Sequence, residues 1–504
     1  MRNIVKTIDE IAQREPDRVV YDYLGQKNTY ADLIKRANSW AALLKEKAPA
    51  KVPVMIWGGQ TFDMLACFLG CVKSGHCYVP IADYSNAERI DLVREVSASP
   101  VLIAISDLPE VDLGDLTLLK PDDVPEEGTA DEADYVKGDE NFYIICTSGT
   151  TGKPKGVQIS HDNLVSFVDW ELKDFDLPDH PRFLAQAPYS FDLSVMSIYP
   201  ALLSGGELVV LPHEVTENFA QLFKALPETD VNVWVSTPSF AQMCFLDRTF
   251  DADHHASLSH FLFCGEELPR KEVEMLKKRF PDSRIFNTYG PTEATVAVTQ
   301  VEITPEILEK YDRLPIGYVK EDTEITIDLS QGDDGKSGEM IIAGPSVSKA
   351  YINNPEKTEE AFYQEDGVQH YRTGDVGYFD GDLLFYKGRI GFQIKFNGYR
   401  IELEEINFYM NQNPLVRHAV AAPIYKPDHT IKQLVAVVEL NDGVSRKFDE
   451  GTITKQIRDG LTKDVMPYMI PQRYLYQDAL PISQNGKVDI KAVIKAVIKE
   501  VNQA

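Results

Sequence analysis

The sequence predicts an α/β protein: a large N-terminal domain of layered α/β subdomains running into a β-rich subdomain, then a small α+β C-terminal domain. Three observations carry this. Helix-like and short apolar segments alternate through residues 30–162, strand-like segments take over after residue 313, and the charge balance changes near residue 391. At 504 residues the chain exceeds one ordinary core, and at roughly 150 residues per domain it divides into several lobes.

Residues 1–14 mix Arg2, Lys6, Asp9 and Glu10 with Ile4, Val5, Ile8 and Ile11, the spacing of an amphipathic surface helix without the apolar core of an export signal. Helices are expected over 30–45, 61–73 and 86–97, and strands over 52–57, 101–105 and 142–146, the alternation that packs helices on a sheet. Residues 121–140 are acidic and interrupted by Pro and Gly, so they read as an exposed connection. The α/β rhythm resumes through apolar runs at 208–211, 231–236 and 260–263. Strands are then expected at 324–329, 339–343 and 383–386, separated by turn signals at 332–335 and 380–382. A boundary near Gly391 gives domains 1–391 and 392–504, the second with a helix over 399–410, a strand over 434–440 and a helix over 453–464.

Composition excludes several classes. Hydrophobic residues at 43% and charged residues at 26% suit a soluble cytoplasmic protein, and no window approaches the ~18 apolar residues of a membrane span. A net charge of −27 argues against nucleic-acid partners. The excess is uneven: residues 392–504 carry 15 Lys and Arg against 13 Asp and Glu, leaving −29 on the first 391. The six cysteines are too sparse for a disulfide framework, and Cys67, Cys71, His76 and Cys77 read as core packing because no second ligand pair stands at a zinc-like spacing.

Residues 142–156 read Phe-Tyr-Ile-Ile-Cys-Thr-Ser-Gly-Thr-Thr-Gly-Lys-Pro-Lys-Gly, an apolar strand followed by hydroxyls, glycines and lysines. Gly149, Gly152 and Gly156 let backbone N–H groups approach an anion, Thr147, Ser148, Thr150 and Thr151 offer hydroxyls, and Lys153 and Lys155 offer charge. Phosphate binding follows, although the spacing is not that of P-loop NTPases.

This loop resembles the signature of the adenylate-forming superfamily, which includes acyl-CoA synthetases, luciferases and nonribosomal-peptide adenylation domains. Five further segments match its motifs in order: 287–294 (Asn-Thr-Tyr-Gly-Pro-Thr-Glu-Ala), 371–375 (Tyr-Arg-Thr-Gly-Asp), Gly388-Arg389, 393–402 and 485–489 (Asn-Gly-Lys-Val-Asp). The resemblance implies the adenylate-forming fold with a mobile C-terminal domain, and ATP and Mg2+ as cofactors. It places Thr147 to Lys153, Asn287, Thr288, Tyr289, Gly290, Pro291, Thr292, Asp375 and Arg389 around the nucleotide. Tyr289 would stack on adenine, Asp375 hold the ribose hydroxyls, Glu293 bind Mg2+, and Lys487 bridge the acid and the phosphate as the catalytic lysine. Without the resemblance, Tyr289 equally reads as a core aromatic, Asp375 as a turn residue and Lys487 as a solvated loop lysine.

Residues 187–194 (Ala-Pro-Tyr-Ser-Phe-Asp-Leu-Ser) set Asp192 among apolar neighbours, where a substrate ammonium would pair with it; a helix N-cap is the other reading. Segments 233–240, 261–266 and 287–299 resemble the branch of the superfamily that activates D-alanine and loads it on the phosphopantetheine arm of a separate D-alanyl carrier protein, the first step of teichoic acid D-alanylation. There Cys264 and Val296 would line the amino-acid pocket, though Cys264 also reads as a buried small hydrophobe. Two other readings are an adenylation enzyme for another small amino acid and a non-catalytic nucleotide-binding protein that docks carriers. The sequence departs from the superfamily at Cys146, usually aromatic, and at Gly391, usually an acidic hinge residue.

Overall fold

The computed structural model describes residues 2–147, 153–332, 334–426, 428–444, 448–482 and 488–501. The chain forms two compact units, one of Met1–Cys146 with Gly156–Gly388, the other of Arg389–Ala504 with the segment Thr147–Lys155. No described helix is long and apolar enough to cross a membrane.

Among the described residues the first unit holds three sheets. A six-stranded sheet runs in the order Thr117–Leu119, Val101–Ala104, Val54–Gly58, Tyr78–Ala82, Asn141–Thr147 and Lys155–Ser160. Both of its faces are covered. Val54, Ile56, Val101 and Ile103 enter one core while Met55, Trp57, Leu102 and Ile144 enter another. Burial on both sides is why these parallel strands read as unbroken apolar runs in the sequence. The helices Tyr30–Lys47, Phe62–Lys73 and Ala87–Ser97 lie where periodicity predicts them, opened by the caps Thr29, Thr61 and Asn86. Cys67, Cys71, His76 and Cys77 are buried, and no metal-ligating cluster occurs among the described residues.

The N-terminal helix Ile4–Arg14 buries Ile4, Val5, Ile8 and Ile11, so its apolar face belongs to the core. The buried Lys73 ties it down with bonds of 2.6 Å to Asp9 and 2.7 Å to Asn38. Residues 121–140 are largely exposed, include two short 3-10 turns, and bury Val124, Tyr135 and Val136.

A nine-stranded sheet has Arg284–Tyr289 beside His260–Phe263, Val233–Ser236, Arg182–Ala185 and Glu207–Val210, all parallel, with antiparallel strands at its edges. The strand-rich region is a five-stranded sheet of Glu324–Asp328, Gly338–Ala343, Phe362–Glu365, Val368–Asp380 and Leu383–Arg389.

The second unit is α+β. Strands Val416–Tyr425 and Ile431–Leu440 pair antiparallel, with Arg473–Tyr476 alongside. Alternate residues feed opposite faces: Ala419, Ala421, Leu434 and Ala436 meet Ile406, Ile453 and Ile457, while Val420, Ala422, Val435 and Val437 meet Val493 and Val497. One expectation is corrected here. Residues 399–410 are not one helix, because Tyr399–Glu402 is a strand paired with Gln393–Phe396, and the helix is only Leu403–Met410. The cause is the two-residue turn Asn397-Gly398, with φ of 52° and 83°, which closes a hairpin and ends any helical continuation. Gly391 lies at φ 101°, a backbone state side chains rarely adopt, with nothing within 4 Å of where a Cβ would stand.

Candidate functional site

Strand Arg284–Tyr289 organises the site. It is followed by the Gly290-Pro291 step and a 3-10 turn at Thr292–Ala294, so its carboxyl end delivers a cluster of side chains where parallel sheets commonly bind ligands. Two of its polar residues serve the sheet. Asn287 donates to the Pro315 carbonyl at 2.7 Å, and Thr288 to the Phe263 carbonyl at 2.8 Å. Tyr289 donates to Asp375 Oδ2 at 2.7 Å, and both side chains are buried. Gly290 has no room for a side chain: a Cβ there would stand 2.5 Å from the Ala297 Cα and 2.7 Å from the Val296 oxygen. The segment that returns after Glu293 therefore packs directly on the residue that follows Tyr289.

Asp375 owes its direction to a bulge. Strands Gly338–Ala343 and Val368–Asp380 pair Glu339 with Val376 but Ile341 with Arg372, so extra residues crowd into the second strand. The distortion is held by Thr373, which donates to the Met340 carbonyl at 2.7 Å and accepts from the Asp375 N–H at 2.9 Å, and by Glu339, which accepts from the Gly374 N–H at 2.9 Å.

Glu293 is fully buried and accepts from the Tyr351 hydroxyl at 2.8 Å. Next to it Thr295 and Val296 have φ of 58° and 68°. Two successive β-branched residues in the left-handed region cost about 1–3 kcal/mol each, strain that typically marks functional sites. Thr295 is clamped by its hydroxyl, which donates to the Ser346 carbonyl at 2.7 Å. The turn aims the Val296 carbonyl at Cys264, whose thiol lies 3.8 Å away. Cys264 is buried at the end of strand His260–Phe263, so the structure brings Cys264 and Val296 together, as it does Tyr289 and Asp375.

Asp192 is the first residue of the 3-10 turn Asp192–Ser194, ahead of helix Val195–Ser204. It is half-buried, less enclosed than its apolar neighbours suggest, and the N-cap of the turn is Phe191. Its charge is felt nearby: burial, and after it the Asp192 carboxylate, pushes the Tyr143 phenol well above its ordinary range.

Of the expected phosphate loop, Ser148, Gly149, Thr150, Thr151 and Gly152 lie outside the described residues, as does Lys487. Thr147 donates to the Lys155 carbonyl at 3.5 Å, and Lys153 is exposed. Arg89 donates to the Cys146 carbonyl at 2.8 Å, and burial pushes the Cys146 thiol up to about 11 against the pull of that guanidinium. Arg389 is the last residue of strand Leu383–Arg389 and the first of the second unit. Sequence reasoning missed Arg89 and Tyr351. Their partners lie 57 and 58 positions away, and no local pattern announces such contacts.

The described part of the site is thus a buried tyrosine and two buried carboxylates, Asp375 and Glu293. The chain belongs to the AMP-binding enzyme family, which matches residues 8–352. It is 51% identical, over 99% of its length and all of the relative, to the D-alanine--D-alanyl carrier protein ligase of Lactiplantibacillus plantarum. It is 47% identical to the proteins of that name from Lacticaseibacillus casei, over 98% of this chain and 99% of the relative, and Streptococcus pneumoniae, over 99% and 98%. Among solved structures it is similar to the Vibrio cholerae adenylation domain AlmE in complex with glycyl-adenosine-5'-phosphate (TM-score 0.82, 22% identity, covering 100% and 98% of the two chains). It is also similar to the o-succinylbenzoate CoA synthetase of Bacillus subtilis (TM-score 0.83, 20% identity, 98% of each chain). At these identities the structural likenesses establish the adenylate-forming fold.

Proposed function

We propose that this chain uses ATP to activate D-alanine as D-alanyl-adenylate, releasing pyrophosphate, and then passes the D-alanyl group to the phosphopantetheine thiol of a D-alanyl carrier protein in the cytoplasm, the first step of teichoic acid D-alanylation. The observation that carries this is near-full-length identity of 47–51% with curated ligases of that name. The buried arrangement of Tyr289, Glu293, Asp375 and Cys264 supports it.

In this reading Tyr289 stacks on adenine, Asp375 binds the ribose hydroxyls and Arg389 reaches ribose or phosphate. Thr147 to Lys153 wrap the phosphates, with Asn287, Thr288, Gly290, Pro291 and Thr292 shaping the wall behind them. Asp192 pairs with the substrate ammonium, while Cys264 and the Val296 turn bound the side-chain pocket. Glu293 suits Mg2+, because one buried, oriented carboxylate together with nucleotide phosphates is the ligand mix that ion takes. Bound there, Mg2+ neutralises phosphate charge. The D-alanine carboxylate attacks the α-phosphorus, the bond to the bridging oxygen breaks, and pyrophosphate leaves. Lys487 offsets repulsion between the two anions during attack. The thiol then displaces AMP. Since Lys487 belongs to the C-terminal domain, residues 392–504 must close on domain 1–391 for adenylation.

Pyrophosphate exchange measured across D- and L-amino acids tests the proposal. D-alanine should dominate. A preference for an L-amino acid would transfer the chain to a different adenylation reaction, and ATP binding without exchange for any acid would leave a carrier-docking nucleotide-binding protein.

A further inference from the structure

We propose that Tyr351 is the positioning residue for Glu293, fixing the metal-binding carboxylate to the strand that leaves the phosphate loop; this rests on reading Glu293 as the Mg2+ carboxylate. Glu293 stands on a three-residue 3-10 turn, Thr292–Ala294. A glutamate there has three side-chain torsions to fix, and a metal site tolerates about 0.5 Å of misplacement. Tyr351 supplies the restraint. Its hydroxyl donates to Glu293 Oε1 at 2.8 Å, and its ring, buried and edge-on to Phe362 at 5.1 Å, holds that hydroxyl in place.

The same segment grips the loop's exit strand, Lys155–Ser160. Tyr351 bridges Val157, the Ile352 N–H donates to the Gly156 carbonyl at 2.8 Å, and Ser348 Oγ donates to the Gln158 carbonyl at 2.8 Å. It grips the backbone of Glu293 as well, through the Ser348 N–H at 2.7 Å. Residues 348–352 thus form a strap bonded to the carboxylate at one side and to the phosphate strand at the other. The strap sets the spacing between the groups that must hold one ion and one polyphosphate together. Partners that orient a metal ligand commonly govern affinity as strongly as this geometry requires.

Tyr351→Phe deletes the hydroxyl and keeps the ring. Mn2+ binding is followed by electron paramagnetic resonance in the presence of a non-cleavable ATP analogue, and analogue binding without metal is measured separately. The variant should weaken Mn2+ binding about tenfold or more while metal-free analogue binding stays within about twofold. Unchanged Mn2+ affinity, or an equal loss in the metal-free measurement, overturns the proposal. Ser348→Ala removes one side-chain bond, to Gln158, but leaves the strap's backbone bonds to Gly156, Val157 and Glu293 and the Tyr351 hydroxyl, and should hold Mn2+ affinity within about twofold of the parent; a tenfold loss there would assign the effect to packing and overturn it too. Glu293→Gln separates the two levels. If it binds Mn2+ like the parent, the reading of Glu293 falls and this inference with it. If it loses Mn2+ while Tyr351→Phe does not, only this inference falls.

Discussion

In the first unit Tyr289, Glu293 and Asn287 are buried and bonded to protein: Tyr289 to Asp375 at 2.7 Å, Glu293 to Tyr351 at 2.8 Å, Asn287 to Pro315 at 2.7 Å. In the second unit the cations Lys455, Arg458, Lys491 and Lys495 stand exposed on helices Glu450–Asp464 and Ile490–Val501. The net charge divides likewise, −32 for the first unit and +5 for the second. Burial gives a carboxylate one fixed direction at the cost of desolvation, which suits holding a nucleotide. Exposure leaves a charge mobile and screened by salt, which suits guiding a partner and little else.

The largest effect that would sharpen this contrast is on Lys487. Lys487→Ala should lower pyrophosphate exchange by about 10²–10³ while ATP still binds; near-normal exchange would remove the second domain from the first half-reaction. Next comes Asp375→Asn. A hydrogen bond to a charged group is worth about 1.5–3 kcal/mol, so ATP affinity should fall about 10–100-fold. Tyr289→Phe, which keeps the ring and loses the bond to Asp375, should change it less than about fivefold. Normal ATP binding by Asp375→Asn would reduce Asp375 to an anchor for Tyr289.

The exposed side of the comparison predicts a smaller effect. Carrier proteins of this kind are generally acidic, so thioester formation should slow several-fold between low and high salt while adenylation holds steady. Parallel salt responses of the two half-reactions would mean that the cations of residues 392–504 steer nothing. The smallest effect concerns a buried carboxyl group that is none of the candidate site residues. Glu171 is fully buried, and neither of its carboxylate oxygens has a hydrogen-bond partner among the described residues. Burial holds its carboxyl well above the usual value of 4.5. A group so raised costs the fold nothing below that usual value and progressively more as pH climbs toward the raised one. Glu171→Gln should therefore raise the melting temperature by about 2–4 °C near pH 8 and leave it unchanged near pH 4. Equal stability of the two proteins at every pH would show that a buried water or shifted neighbour satisfies the carboxylate.

Legibility in the sequence followed the physics of each element. Strands Val54–Gly58 and Val101–Ala104 were readable because both faces are buried, and helix Tyr30–Lys47 because its period and its Thr29-Asp32 capping box are local. Strand Val368–Asp380 was not readable: thirteen residues long, it mixes His, Arg, Thr and Asp, and its bulge breaks the alternation. The Asn397-Gly398 turn was a readable signal that lost to the helical look of Glu402, Glu404 and Glu405. At the site, residue identities were legible and pairings were not. Nothing near Tyr289 in the sequence says that its hydroxyl meets Asp375, 86 positions on.

The left-handed pair Thr295 and Val296 bears on how this turn can be changed. Glycine or asparagine at either position would relax the backbone, but would empty the space that buried Val296 fills and remove the Thr295 hydroxyl bond to the Ser346 carbonyl. The same substitutions would loosen the turn that aims the Val296 carbonyl at Cys264. Relief of backbone strain and loss of packing thus pull in opposite directions at two adjacent positions.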